Sequence, residues 1–146
     1  MAAIRIAHAT WSGSLIEGSG VVSATSSNAY SELPVSWAAR TDQSGGKTSP
    51  EELVASAHAA CFSMALSAGL GKGGHPPTKL EVDATVTFDN VDGGWKVASS
   101  ALKVVGQVPG LDAAGFAAAA EAAKDGCPIS SALKGNVELS VEATLE

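Results

Sequence analysis

Two cysteines are the side chains of this 146-residue chain best suited to covalent chemistry, Cys61 and Cys127, 66 positions apart and without a CxxC pair. Cys61 stands inside SPEELVASAHAACFSMALSAG (49–69), among alanines, Phe62 and Met64. Free cysteine is among the most buried residue types, so position alone favours inert packing. A reactive thiol needs a lowered pKa, which means a cation or a helix terminus beside it. His58, three residues earlier, shares a helical face with Cys61, and a Cys–His dyad of the hydrolase kind is one reading. No acid or amide at a further helical step would orient that imidazole, which favours a packed or hydrogen-bonded histidine.

Cys127 precedes Pro128 and so is expected at the N-cap of a short helix, where backbone N–H groups favour an anion. That setting suits a leaving group or a resolving thiol in disulfide exchange, and it equally suits a small residue that ends an Ala-rich helix. Arg40, one of two arginines with Arg5, closes the segment VSWAAR, expected as a strand, shortly before the helix that bears Cys61. A guanidinium there could stabilise a thiolate; a solvated surface charge is the plainer reading. Glu51, in the first turn of the same helix, is explained equally well by the preference of acids for that end.

These residues must be positioned by the surrounding elements. IRIAHATW, VVSA and LPVSW read as strands with Gly-bearing turns at Gly13, Gly18 and Gly20. The long helix has a start signal in Ser49, Pro50 and Glu52, a capping box, and an end marked by Gly69, Gly71, Gly73 and Gly74 before Pro76-Pro77. KLEVDATVTFD (79–89) alternates as a half-buried strand, NVDGG turns the chain, and WKVASSALKVVGQV returns antiparallel. Asp112 caps an Ala-rich helix ending near Gly126, CPISSALKG forms a short helix, and NVELSVEATL alternates as a last strand. With no repeat and no second core, residues 1–146 are expected to form a single α+β domain.

Apolar residues make up 45% of the chain and charged residues 16%, against about 25% charged in an average soluble protein. So little charged surface points to an obligate oligomer. The net charge of −6 and the lack of a basic cluster argue against nucleic acid and anionic membrane as partners. MAAIRIAHATW has no continuous apolar stretch of signal-peptide type, and residues 53–70, the longest apolar run, are interrupted by Ser56, His58, Ser63 and Ser67. A membrane span needs about 20 strongly apolar residues, so a core helix and a cytoplasmic location are expected. In a reducing compartment the two cysteines are not expected as a structural disulfide. His8, His58 and His75 are scattered without ligand spacing, and neither a metal nor another cofactor is implied.

Taken together, SPEELVASAHAACFSMAL, the distant GCPIS, the AAR that ends 21 residues before Cys61, and ATWSGSLIEGSG near the start resemble the OsmC branch of the OsmC/Ohr organic hydroperoxide reductases, over essentially the whole chain. The Ohr branch resembles a pattern with its arginine in the N-terminal hairpin and Tyr after the second Cys-Pro. Here residues 6–39 hold no arginine and Ile129 follows Pro128. The resemblance implies an α+β fold of antiparallel sheets around a long central buried helix, as an intertwined homodimer. It also implies a thiol-dependent peroxidase that reduces organic hydroperoxides, and inorganic ones less efficiently. By motif, Cys61 is the peroxidatic thiol, Cys127 the resolving thiol that closes a Cys61–Cys127 disulfide, and Arg40 with Glu51 the activating pair. The implied reductant is a dithiol, possibly that of a dihydrolipoyl protein.

Phe62, Met64 and Leu66 are expected as an apolar wall beside the thiol. Ten residues separate Glu51 from Cys61, about 15 Å of helical rise, so a Glu51 that serves the Cys61 site is expected from the partner subunit. Two other classes stay open: a Cys61–His58 hydrolase or acyltransferase, which needs no Cys127, and a non-catalytic domain that binds apolar ligands and needs neither thiol.

Overall fold

A computed structural model describes residues 1–146, which form two compact units, Met1–Leu53 and Val54–Glu146. In the first, β-branched and small residues build an antiparallel three-stranded sheet in the order β1 (Ala7–Ser12), β2 (Ser19–Ala24), β3 (Leu33–Val35). The chain then enters a short helix, α1 (Trp37–Thr41), which Ser36 caps by accepting from the Ala39 amide at 3.2 Å. The VSWAAR segment is therefore strand only as far as Val35. Arg40 lies in the last turn of a helix, because the Ser36 hydroxyl satisfies an amide that a strand would have paired elsewhere.

The long helix α2 (Pro50–Lys72) starts as its sequence predicts: the Ser49 hydroxyl accepts from the Glu52 amide at 3.1 Å, and Pro50 occupies the first helical position. The Glu52 carboxylate accepts from the Thr48 hydroxyl at 2.6 Å. Helical backbone continues through Gly69 and Gly71 and stops beyond Lys72. There Gly74, at φ +83°, lets the His75 amide reach the Leu70 carbonyl and the Gly74 amide reach that of Gly71.

His58, Phe62, Leu66 and Leu70 repeat every four residues and form the buried stripe of α2, while Ala57, Ala60, Met64 and Ser67 are exposed. The helix is long and apolar enough to cross a bilayer, with a mean hydropathy of 1.5 over its best window. Its buried stripe nevertheless enters a protein core. The apolar-wall expectation fails for Phe62 and Leu66, which are fully buried there, and Met64 alone of the three is exposed.

In the second unit β4 (Lys79–Val91) and β5 (Gly94–Gln107) form the expected antiparallel hairpin across Asp92-Gly93. β6 (Glu138–Leu145) pairs with β5 in parallel, from Ser99↔Glu138 to Gly106↔Leu145, so this sheet is mixed and not wholly antiparallel. The physical reason is the connection. α3 (Ala113–Gly126) and α4 (Pro128–Leu133) carry the chain back across the sheet, and a helical crossover returns a strand in the same direction. Phe116 of α3 lies directly over Gly106 of β5, where a Cβ would collide with its ring. Phe62, Leu66, Leu70, Leu102, Val104, Phe116 and Ala120 make the core, with Cys127 at its edge.

Candidate active site

Cys127 sits at the joint of two helices. Its amide closes α3 on the Ala123 carbonyl at 2.8 Å, and its φ/ψ of −68°/126° turns the chain into α4, where Pro128 takes the first position. Pro128 has no N–H to offer, so the first free amides of α4 are those of Ile129 and Ser130. Cys127 is fully buried, Cys61 partly so, and their sulfurs are 3.0 Å apart. The fold thus brings the two cysteines together across 66 residues of sequence.

The two thiols are held in opposite senses. Burial pushes the Cys127 thiol up, but hydrogen bonds from Cys61, from the Ser130 amide and hydroxyl, and from the Ile129 amide outweigh it and bring the group below its ordinary value. Burial pushes Cys61 up, and its contact with Cys127 pushes it further; the Ile129 amide opposes this only in part. Of the two thiols, Cys127 is therefore the one whose anion the site favours.

His58 is fully buried and does not serve as a base for Cys61. Its Nδ1 meets Ser100 Oγ at 2.7 Å and its Nε2 meets Ser130 Oγ at 2.8 Å, so both ring nitrogens are engaged by serines. Burial holds the imidazole below its ordinary value and hence neutral. This removes the orienting geometry that a Cys61–His58 hydrolase requires. Ser100 and Ser130 were not singled out by sequence reasoning. Ser100 carried a signal: it holds an inward position of β5, in register with Leu102 and Val104, where an apolar residue is expected. Ser130, also buried, stands third in a short helix and carried none.

Arg40 and Glu51 meet within the first unit. Arg40 Nη2 lies 2.6 Å from Glu51 Oε1, and Nε lies 3.2 Å from each carboxylate oxygen. Glu51 is 7% exposed, and the guanidinium also stacks on Trp37, with Cζ 5.5 Å from the ring centroid. A carboxylate this deep needs its partner: removing the guanidinium would leave a buried charge, at a cost of about 3 kcal/mol or more. A cavity of about 310 Å³ opens beside Arg40, lined by Trp11, Leu15, Val35, Ser36, Trp37, Arg40 and Pro50, a mainly apolar wall with one cation. No group of three or more His, Cys, Asp or Glu side chains is placed to hold a metal ion.

The geometry has close relatives. Residues 42–142 match the family described as OsmC-like protein. The chain is 42% identical over 134 residues to Peroxiredoxin OsmC of Escherichia coli (strain K12), covering 92% of each chain. It is 31% identical over 106 residues to Organic hydroperoxide resistance protein-like 2 of Staphylococcus epidermidis, covering 71% of this chain and 72% of the relative. The crystal structure of the organic hydroperoxide resistance protein OhrB of Bacillus subtilis superposes with a TM-score of 0.72 at 24% identity, over 95% of this chain and 98% of the other, a likeness of fold.

Proposed function

The chain belongs to the OsmC-like family, and on that premise we propose that it is a cysteine-based peroxidase that reduces organic hydroperoxides to alcohols. The observation that carries the reading is the thiol pair, two sulfurs 3.0 Å apart with one buried among hydrogen-bond donors and the other partly open. Access assigns the roles. Cys127 is the better anion but is sealed from solvent, so peroxide meets Cys61, while Cys127 is held for the second step.

As Cys61 attacks the outer peroxide oxygen, its proton passes to Cys127 and from there to the departing alkoxide. The products are ROH, a Cys61 sulfenic acid and a Cys127 thiolate. That thiolate attacks the sulfenic sulfur, and with one proton from solvent the step yields the Cys61–Cys127 disulfide and water. The sulfurs must close from 3.0 Å to a bond of about 2.05 Å. A dithiol, such as that of a dihydrolipoyl protein, returns both thiols.

Arg40 and Glu51 act in this reading as the activating pair. Arg40 offsets the negative charge on Cys61 as the O–O bond breaks, and Glu51 holds the guanidinium flat and aimed. The apolar cavity beside Arg40 receives the alkyl part of the substrate, which favours organic peroxides over hydrogen peroxide. Glu51 is ten helical residues from Cys61, so the pair serves the thiol of a second subunit in a homodimer. Apolar side chains that stand more than half exposed, Ile4, Ile6, Leu15, Ile16 and Met64, support such an interface. The two compact units are read as one OsmC-like domain, supported by a likeness of fold that spans 95% of the chain. The protein is read as acting in the reducing cytoplasm, where a dithiol reductant keeps both thiols free between turnovers.

Thiol counting tests the reading. One equivalent of cumene hydroperoxide should remove two titratable thiols per chain in the wild type. Cys127→Ser should react once and stop at a Cys61 sulfenic or over-oxidised product visible by mass, and Cys61→Ser should lose none. Survival of both thiols in the wild type refutes the peroxidase, and equal loss of the first oxidation in both variants refutes the division of roles.

A further inference from the structure

His58 is the one fully buried ionisable side chain that the chemistry above does not use. A plain packing role would require one satisfied nitrogen or a single neighbour. Instead the ring bridges two buried serines from different elements, Ser100 on β5 and Ser130 on α4. Hydrogen-bond arithmetic then ties the ring tautomer to the resolving sulfur. A neutral imidazole has one N–H and one lone pair. Ser130 owns a single hydroxyl proton, and for its hydroxyl to lower the Cys127 thiol that proton must point at the sulfur, because a thiolate only accepts. Its oxygen must therefore accept from His58, so the ring proton sits on Nε2 and Nδ1 accepts from the Ser100 hydroxyl. With the opposite tautomer Ser130 would donate to Nε2, and the sulfur would lose that donor.

We propose that His58 is a positioning residue for the resolving cysteine: locked between Ser100 and Ser130 as the Nε2–H tautomer, it keeps the Ser130 hydroxyl proton directed at the Cys127 sulfur. The proposal rests on the peroxidase reading for its consequence but not for its geometry. Three groups act directly on Cys127, namely Cys61 from α2 and Ile129 and Ser130 from α4, and His58 acts through Ser130. The consequence concerns both halves of the thiol cycle. Attack on the Cys61 sulfenic acid needs Cys127 as a thiolate, and a sulfur that accepts an aimed O–H is more often one. In the reductive half an external dithiol attacks the disulfide. The better leaving group departs, so its thiolate bonds to Cys61 while Cys127 takes the electron pair and leaves as S⁻. The Ser130 hydroxyl thereby directs the reductant to the partly open sulfur of Cys61 and away from the buried one.

The test is built so that it does not need peroxide turnover. Thiolate absorbance against pH is recorded in Cys61→Ser, where Cys127 is the remaining cysteine. Added Ser130→Ala or His58→Asn, which cannot reach Ser130, should move the midpoint up by about one unit, or tenfold less thiolate at a pH below it. Added His58→Gln, whose amide can place an N–H near the Nε2 position, should restore most of the shift. In the unmutated protein, nitrogen-15 spectra of the imidazole should show a neutral ring with its proton on Nε2, a reading that no folding defect can obscure. A proton on Nδ1, a charged ring, or an unchanged midpoint in folded Ser130→Ala would overturn the proposal. Failure of the peroxidase reading would show separately, as survival of both thiols under cumene hydroperoxide.

Discussion

Replacing Arg40 by lysine keeps the charge and removes the fork. The guanidinium holds Glu51 through Nη2 at 2.6 Å and through Nε at 3.2 Å to both oxygens. A lysine ends in one nitrogen and can keep the short contact, but the two long ones, shared by a single N–H, are lost together. They amount to about one charge-assisted hydrogen bond. With Glu51 only 7% exposed water does not replace it, so the expected loss is about 2 kcal/mol. For a chain of this size that lowers Tm by roughly 4–8 °C. The chemical effect is separate. Burial and the Cys127 contact push Cys61 up, and in the proposed mechanism Arg40 is the cation that brings it down. If the loosened ammonium forfeits about one unit of that help, the thiolate and the single-turnover rate both fall about tenfold. Stopped-flow reduction of cumene hydroperoxide across pH is the assay, with a melting curve beside it. The rate should fall at neutral pH and the midpoint of the pH–rate curve should move up. A folded Arg40→Lys with the wild-type rate and midpoint would refute the activation, and a lower Tm with an unchanged midpoint would assign Arg40 to stability alone.

Two other outcomes follow from the same geometry. Co-expression of the inactive chains Glu51→Ala and Cys61→Ser should restore roughly a quarter of wild-type activity if the site is shared, because half of randomly paired dimers carry one intact site of two; activity at the level of the parents would place both residues in one chain's site, and an active Glu51→Ala would reduce Glu51 to a helix-terminal charge. His58 is held neutral below its ordinary value of about 6.5, so below that pH the unfolded chain binds a proton that the native chain does not. Stability present above pH 6.5 should therefore be lost as pH falls toward the native pKa, by up to about 1.4 kcal/mol per unit, and a melting series from pH 7.5 to 5 should be flatter in His58→Gln; parallel curves would contradict a buried neutral ring.

Much of this architecture was legible in the sequence where a local rule carried it. Ser49 and Pro50 start α2, Asp112 caps α3 through the Gly115 amide at 2.7 Å, and alternation marks β4 and β6 as strands. Alternation reports which face is buried and says nothing of direction, so the parallel pairing of β6 depended on the α3–α4 crossover and was missed. Arg40 was placed on a strand because VSW continues a β pattern, and the Ser36 cap that starts α1 competed with it. The buried face of α2 was read from its apolar composition, yet only one stripe of it packs in the core. Ser100 was hidden by its chemistry. A serine at an inward strand position reads as a weak point of the alternation until a histidine 42 residues away is seen to bond it.

The site itself divides along the same line. The resemblance supplied the four residues, and local rules placed Cys127 at a helix start. No one-dimensional reading places a proton, and the proton decides the chemistry. Sequence reasoning gave the anion to Cys61 as the attacking thiol, whereas the contacts within its own unit raise Cys61 and lower Cys127, through Cys61 itself and the Ser130 and Ile129 donors. The two statements agree if the charge order is set in two stages. The contacts within one subunit favour negative charge on the sealed sulfur over Cys61. In the proposed mechanism, arrival of a guanidinium and a peroxide at Cys61 would draw the proton 3.0 Å across to Cys127 and form the nucleophile only when substrate is present. On this account an isolated subunit should show an unreactive Cys61, and in the proposed homodimer a second Arg40–Glu51 pair would convert it; equal peroxide reactivity of Cys61 in isolated and assembled subunits would refute the two stages.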